Sequence, residues 1–159
     1  MERQALEQRL LIWLLRLFGG TTCLAVFAVL MPTEWMAATH EWLGAGAFPR
    51  APIVEYLTRS ISLLYAVHGG IILLASTDIR RYQTLITYLA VADGTLGLIL
   101  IGVDAFAGMP WYWTAAEGPL VIGPSAVLLH LNLRVQARRR SGAEADEEAF
   151  MSGRLGPEG

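Results

Sequence analysis

The chain has 159 residues, of which 54% are apolar and 16% charged, with a net charge of −2 and one cysteine. A soluble domain this small must cover its surface with polar side chains, and a mean hydropathy of +0.45 excludes a soluble enzyme as well as a disordered or collagen-like chain. The near-neutral charge offers nucleic acid no basic field, and Cys23 alone forms neither an internal disulfide nor a cysteine-based zinc site.

The charges are sorted along the chain. Nine fall in the last 24 residues and five in the first 16, so the 119 between carry only twelve. A helix needs about 20 mostly apolar residues to cross a hydrocarbon core of roughly 30 Å. The first such stretch is Leu10 to Met31, ended by Pro32, with Arg16 close enough to one end to snorkel towards the interface. Pro32 and Trp35 stand where a signal peptide would need small residues for cleavage, so the segment is expected to be an uncleaved span.

A long loop follows, from about Pro32 to Ala51. Thr33 is placed to cap a short helix reaching Leu43, with Gly44 just past its end. Trp35, Met36, Thr39, Trp42 and Leu43 recur at helical spacing, which predicts a helix lying flat at the membrane interface. The second span runs from about Leu57 to Ser76, and a short turn holding Asp78, Arg80 and Arg81 makes it an antiparallel hairpin with the third, from Gln83 to Phe106. Gly108 and Pro110 end the third. The fourth covers about Trp113 to Leu133, where Pro119 and Pro124 are expected to bend the helix or delay its start.

The expected fold is therefore all-α: a four-transmembrane-helix bundle over residues 1–135 with a short interfacial helix in the first outer loop. Residues 136–159 lack apolar periodicity and are expected to form a disordered cytoplasmic tail. Orientation follows from the arginines. Arg3, Arg9, Arg16, Arg80, Arg81, Arg134, Arg138, Arg139 and Arg140 gather on one side, and only Arg50 and Arg59 on the other. The positive-inside rule then places both termini in the cytoplasm of a bacterial inner membrane. Trp35, Trp42, Trp111 and Trp113 mark the outer interface and Trp13 the inner one.

An ionisable residue deep in a span is costly and points to function by default. His68 and Asp93 lie twelve or thirteen residues either side of the hairpin turn, so at about 1.5 Å per residue both sit roughly 18–20 Å from it. They are expected to meet as a hydrogen-bonded pair that either moves a proton or fixes helix register. A second polar cluster of Arg59, Asp104, Glu117 and Glu55 is expected on the outer side. The helical wheel disfavours an Arg59–Asp104 pair alongside His68–Asp93, so Arg59 is expected to pair with Glu55 one turn away. Ser62, Ala66 and Gly70, with Ala90, Gly94 and Gly97, supply small residues for close packing along the hairpin seam. His130 and His68 differ too much in depth to share a haem, and His40 beside Glu41 lacks metal-ligand spacing. No cofactor and no metal are expected, and no nucleophile–base set or phosphate loop is present.

The four-span layout, Gly69-Gly70 in the second span, the Arg80-Arg81 turn and Asp104 ending the third span resemble the DoxX-like group of small bacterial membrane proteins over about residues 57–133. That resemblance implies an accessory subunit of a membrane redox complex feeding electrons to quinone, and it carries over no functional residue. Three functions follow as expectations. The first is a structural or accessory subunit working in the lipid bilayer within a complex or homo-oligomer. The second is a small transporter or proton-coupled carrier using His68 and Asp93. The third is a quinone-associated redox subunit with an apolar cleft near the outer tryptophans.

Overall fold

A computed structural model describes residues 2–154 as six helices, with no strand among the described residues: α1 (Glu2–Cys23), α2 (Val26–Leu30), α3 (Thr33–Trp42), α4 (Pro52–Thr77), α5 (Gln83–Ala107) and α6 (Trp111–Arg154). Four segments are long and apolar enough to cross a membrane: Gln4–Leu30 (α1 and α2 together), Pro52–Thr77, Gln83–Ala107 and Trp111–Ala145. Large apolar side chains such as Trp13, Leu17, Leu64, Phe106 and Leu120 point outwards along these helices. A bilayer suits such a surface and water does not.

The start of α1, the α4–α5 turn and the far part of α6 share one end of the bundle, here the terminal end. Helix α3 and the α5–α6 turn mark the other, the loop end. Each helix begins and stops for a local reason. Pro52 opens α4 at a position where its missing N–H costs nothing. Gly108 takes a left-handed φ of 71° and closes α5, with the Met109 amide donating to the Asp104 carbonyl at 3.0 Å. In the first span the hydroxyls of Thr21 and Thr22 donate back to carbonyls one turn earlier, and the chain tightens through Leu24 and Ala25 into i→i+3 bonds. Such back-bonding loosens the helical ladder and accounts for the break between α1 and α2.

Packing departs from the hairpin expectation. Helices α1 and α2 pack on α4, α5 packs along α6, and α1 also touches α6, whereas α4 and α5 meet at few places. The small residues serve the first two contacts rather than the α4–α5 seam. A Cβ on Gly69 would stand 2.6 Å from the Gly19 carbonyl oxygen of α1, and one on Gly97 would stand 3.0 Å from the Gly118 carbonyl oxygen of α6. Gly70 meets nothing within 4 Å, so it is Gly69 and not Gly70 that closes a helix contact.

The dry core lies in the terminal half, where Leu11, Leu15, Ile72, Ile86, Leu128 and Val135 are buried together. A polar clamp sits beside it. The fully buried Asn132 amide donates to the Thr87 hydroxyl at 2.9 Å and to the Gln83 carbonyl at 3.1 Å, and Gln136 donates to Thr87 at 3.2 Å. These bonds tie α5 to α6 in a fixed register.

Three boundaries differ from the sequence reading. Thr33 does not cap α3; Pro32 holds the cap position, and the Thr33 hydroxyl donates to Glu55 instead. Pro119 and Pro124 lie inside α6 and do not delay its start, since it already runs from Trp111. Residues 136–154 continue α6 as helix and are not a structureless tail; residues 155–159 lie outside the described residues. This segment is rich in alanine, arginine and glutamate, all strong helix formers, and it extends a helix already nucleated by the span. Arg138 also anchors it to α1, its Nε lying 3.0 Å from the Glu7 carboxylate.

Candidate functional site

The α4–α5 gap holds an ionisable pair midway along the apolar helices. His68 precedes Gly69 on α4, about 100° round the helix from the tight Gly69 contact, and Asp93 projects from α5 one turn loopwards of the buried Leu89 and Ala90. The structure brings the two together, with His68 Nε2 2.9 Å from Asp93 Oδ1. The carboxylate is nearly buried, with 7% of its side chain exposed, against 31% for the imidazole. An Nε2–H donating to the carboxylate leaves Nδ1 as the acceptor of a neutral ring, or as a second donor when the ring is charged.

This contact is not packed around. On the exposed side of the gap a cleft of about 390 Å³ is lined by Ile61, Leu64, Tyr65, His68, Asp93 and Leu96. On the inner side a cavity of about 200 Å³ shares Tyr65, His68, Asp93 and Leu96 and adds Phe18, Thr22, Leu100, Glu117 and Val121. The pair and its two neighbours are thus the partition between the two spaces. Of the residues that the inner cavity adds, Leu100, Glu117 and Val121 lie loopwards of the pair, Thr22 is about level with it, and Phe18 packs against the core on the terminal side. Thr22 brings the weakened end of α1 to its wall.

Glu117 closes that cavity. The Trp113 indole N–H donates to its carboxylate at 2.7 Å, one helical turn apart on α6. The expected outer cluster is therefore divided rather than joined. Glu117 belongs with His68 and Asp93. Arg59 and Glu55 pair at 2.8 Å on α4, with the Thr33 hydroxyl donating to the same carboxylate at 2.9 Å. The Arg59 guanidinium also donates to the carbonyls of Val29 and Met31, at 3.0 Å for Met31. Those carbonyls are left without helical partners where α2 stops before Pro32, so Arg59 caps the first span. Asp104 stands apart from both groups, buried, with one carboxylate oxygen lacking a partner among the described residues.

Sequence reasoning did not single out Tyr65 or the contribution of α1. Tyr65 lies three residues before His68 and so shares its face, a signal present in the sequence. Phe18 and Thr22 required knowledge of which helix packs where. His40 is tied up outside the bundle, its Nδ1 2.9 Å from the Gly46 carbonyl, and His130 is exposed on α6. Among the described residues no group of three or more metal-ligating side chains converges. No protein-family model matches the chain, and no curated protein or solved structure matches it significantly.

A hydrogen-bonded imidazole and carboxylate at mid-depth, flanked by free volume, can accept a proton and pass it to a ligand in either space. The Tyr65 hydroxyl and Glu117 offer further donor and acceptor groups along the loopward path.

Proposed function

We propose that this chain is a small multi-pass protein of the bacterial inner membrane, both termini cytoplasmic, in which His68 and Asp93 form the proton-exchanging centre of a proton-coupled carrier. The observation that carries the reading is the free volume on both sides of the pair. A pair kept only to set helix register has no need of cavities, and a buried polar contact surrounded by apolar packing would serve that end better. In that reading α3 lies flat at the outer interface with Trp35 and Trp42 exposed to lipid headgroups.

The test is the protonation of His68 in bilayers, followed by the ¹⁵N shifts of its imidazole between pH 5 and 8. The expected result is a titration in step with the outer bulk pH whose midpoint moves in Asp93→Asn. An imidazole that holds one protonation state across that range, in wild type and variant alike, would overturn the reading.

A second reading, an accessory subunit of a quinone-linked redox complex, draws on the DoxX-like resemblance and on the apolar cleft beside Ile61, Leu64 and Leu96. It predicts quinone retained by the protein after gentle detergent extraction, together with copurifying redox partners.

A further inference from the structure

A different face of the bundle carries an unpaired cation. Arg16 is exposed on α1 and makes no ion pair or side-chain hydrogen bond among the described residues. It lines a groove of about 570 Å³ between α1 and α6, whose other walls are Leu10, Trp13, Leu14, Leu17, Val127 and Leu131. All six are apolar, so the only charge in the groove is the guanidinium. In a chain that crosses a bilayer, this places a bare cation against the acyl region of the leaflet at the terminal end. Such a charge is costly unless an anion meets it.

We propose that this groove holds one anionic phospholipid, its phosphate on Arg16 and an acyl chain along Leu14, Leu17 and Val127. Three features on α1 favour a lipid over a protein acid. Side chains on a helix lean towards its N-terminus, so Arg16 reaches back towards the terminal end, where headgroups lie. Trp13 stands one turn below it, and an indole there suits the headgroup level. Arg9 lies a further turn down on the same face, seven residues and about 10 Å from Arg16, and adds a second cation on the way to the interface. Among the described residues the acid of this corner, Glu7, is already held by Arg138 at 3.0 Å and faced by Arg134 at 4.0 Å, so it does not neutralise Arg16. A phospholipid supplies an anion and an apolar chain in one molecule, which is the pattern the groove presents. The inference needs α1 and α6 to cross a bilayer and is independent of any role for His68.

Native mass spectrometry of the full chain, incubated in detergent with equal amounts of phosphatidylglycerol and phosphatidylcholine, reads the preference directly. One phosphatidylglycerol is expected to remain bound with about fivefold preference, the size of effect one arginine gives near an anionic headgroup, and Arg16→Gln is expected to bring the ratio to about one. Arg16→Lys, which keeps the charge, is expected to retain most of the preference. Equal retention of both lipids by the wild type, or an undiminished preference in Arg16→Gln, would overturn the proposal. So would a disulfide between two chains formed in bilayers by Leu17→Cys in a Cys23→Ser background, since that would place a second copy over the groove.

Discussion

Two kinds of helix contact hold this bundle. Where α1 meets α4 and α5 meets α6, glycines let backbone approach backbone, and Gly19, Gly69, Gly97 and Gly118 leave no room for a Cβ. Where α4 faces α5, there is one polar contact, His68 to Asp93, and free volume on either side of it. The pair of helices joined by the turn at residues 78–82 is therefore the one least packed together. Chain connection brings two helices near each other, but surface shape decides whether they close. In this chain the contacts that close do so through glycines, with the Asn132–Thr87 clamp added between α5 and α6, and the one that stays open carries the His68–Asp93 pair.

The sharpest way to break that contrast is at Gly69. A Cβ there meets the Cys23 amide nitrogen and the Gly19 carbonyl oxygen, each at 2.6 Å, and backbone atoms cannot swing aside as a flexible side chain would. Gly69→Val is expected to destabilise the protein by about 3 kcal/mol, the upper range for overpacking, read as a lowered midpoint of unfolding in detergent. Its neighbour is the control, since Gly70→Ala meets nothing within 4 Å and is expected to leave the midpoint unchanged or slightly raised. Equal losses at the two positions would mean that α1 and α4 do not approach at Gly69.

The open contact should respond in the opposite sense. Replacing both partners in His68→Leu with Asp93→Leu removes a costly buried polar pair and adds apolar volume beside the cavities. Stability is expected to hold or to rise by about 1 kcal/mol, as it often does when a buried ion pair gives way to apolar side chains. The same double variant is expected to lose any pH-dependent transport or proton uptake. A large loss of stability would instead make the pair a clamp on which the α4–α5 contact depends.

The number and approximate limits of the membrane-crossing helices were legible because apolar length is a local property, and Pro32, Asp78 and Pro110 punctuate it. The depth match of His68 and Asp93 was legible for the same reason, as counting residues from a turn needs only the helical rise. Which helix lay against which was not. Gly69 and Gly70 are adjacent in sequence, and only the position of α1 decides that the first is squeezed and the second free. Glu117 illustrates the same limit, because its depth was readable but its place on the cavity wall beside His68 and Asp93 required the α4–α5 gap. The helical stretch after residue 135 was misread for a different reason: its composition favours helix, but without an apolar face the sequence offers no sign of what holds it, and the Glu7–Arg138 pair lies 131 residues apart.

The smallest expected effect concerns the turn that joins the two helices of the open contact. Asp78 Oδ1 accepts the amides of Arg80 at 2.9 Å and Arg81 at 3.0 Å, an arrangement that pins the chain reversal. Those amides, Arg81's first, together with the two arginine charges, hold the Asp78 carboxyl below its ordinary value. A carboxyl lowered in the folded state contributes stability that is fully present above its ordinary range, near about pH 4, and that is lost as the pH falls through the folded value. Asp78→Asn keeps an oxygen that can accept both amides but cannot titrate. The wild type is therefore expected to be slightly the more stable at pH 7, with the difference shrinking and then vanishing as the pH drops below about 4. A difference that stays constant across that range would assign the Asp78 contribution to turn geometry alone. Because the turn is exposed and α4 touches α5 so little, even its full loss should leave the α1–α4 and α5–α6 pairs standing.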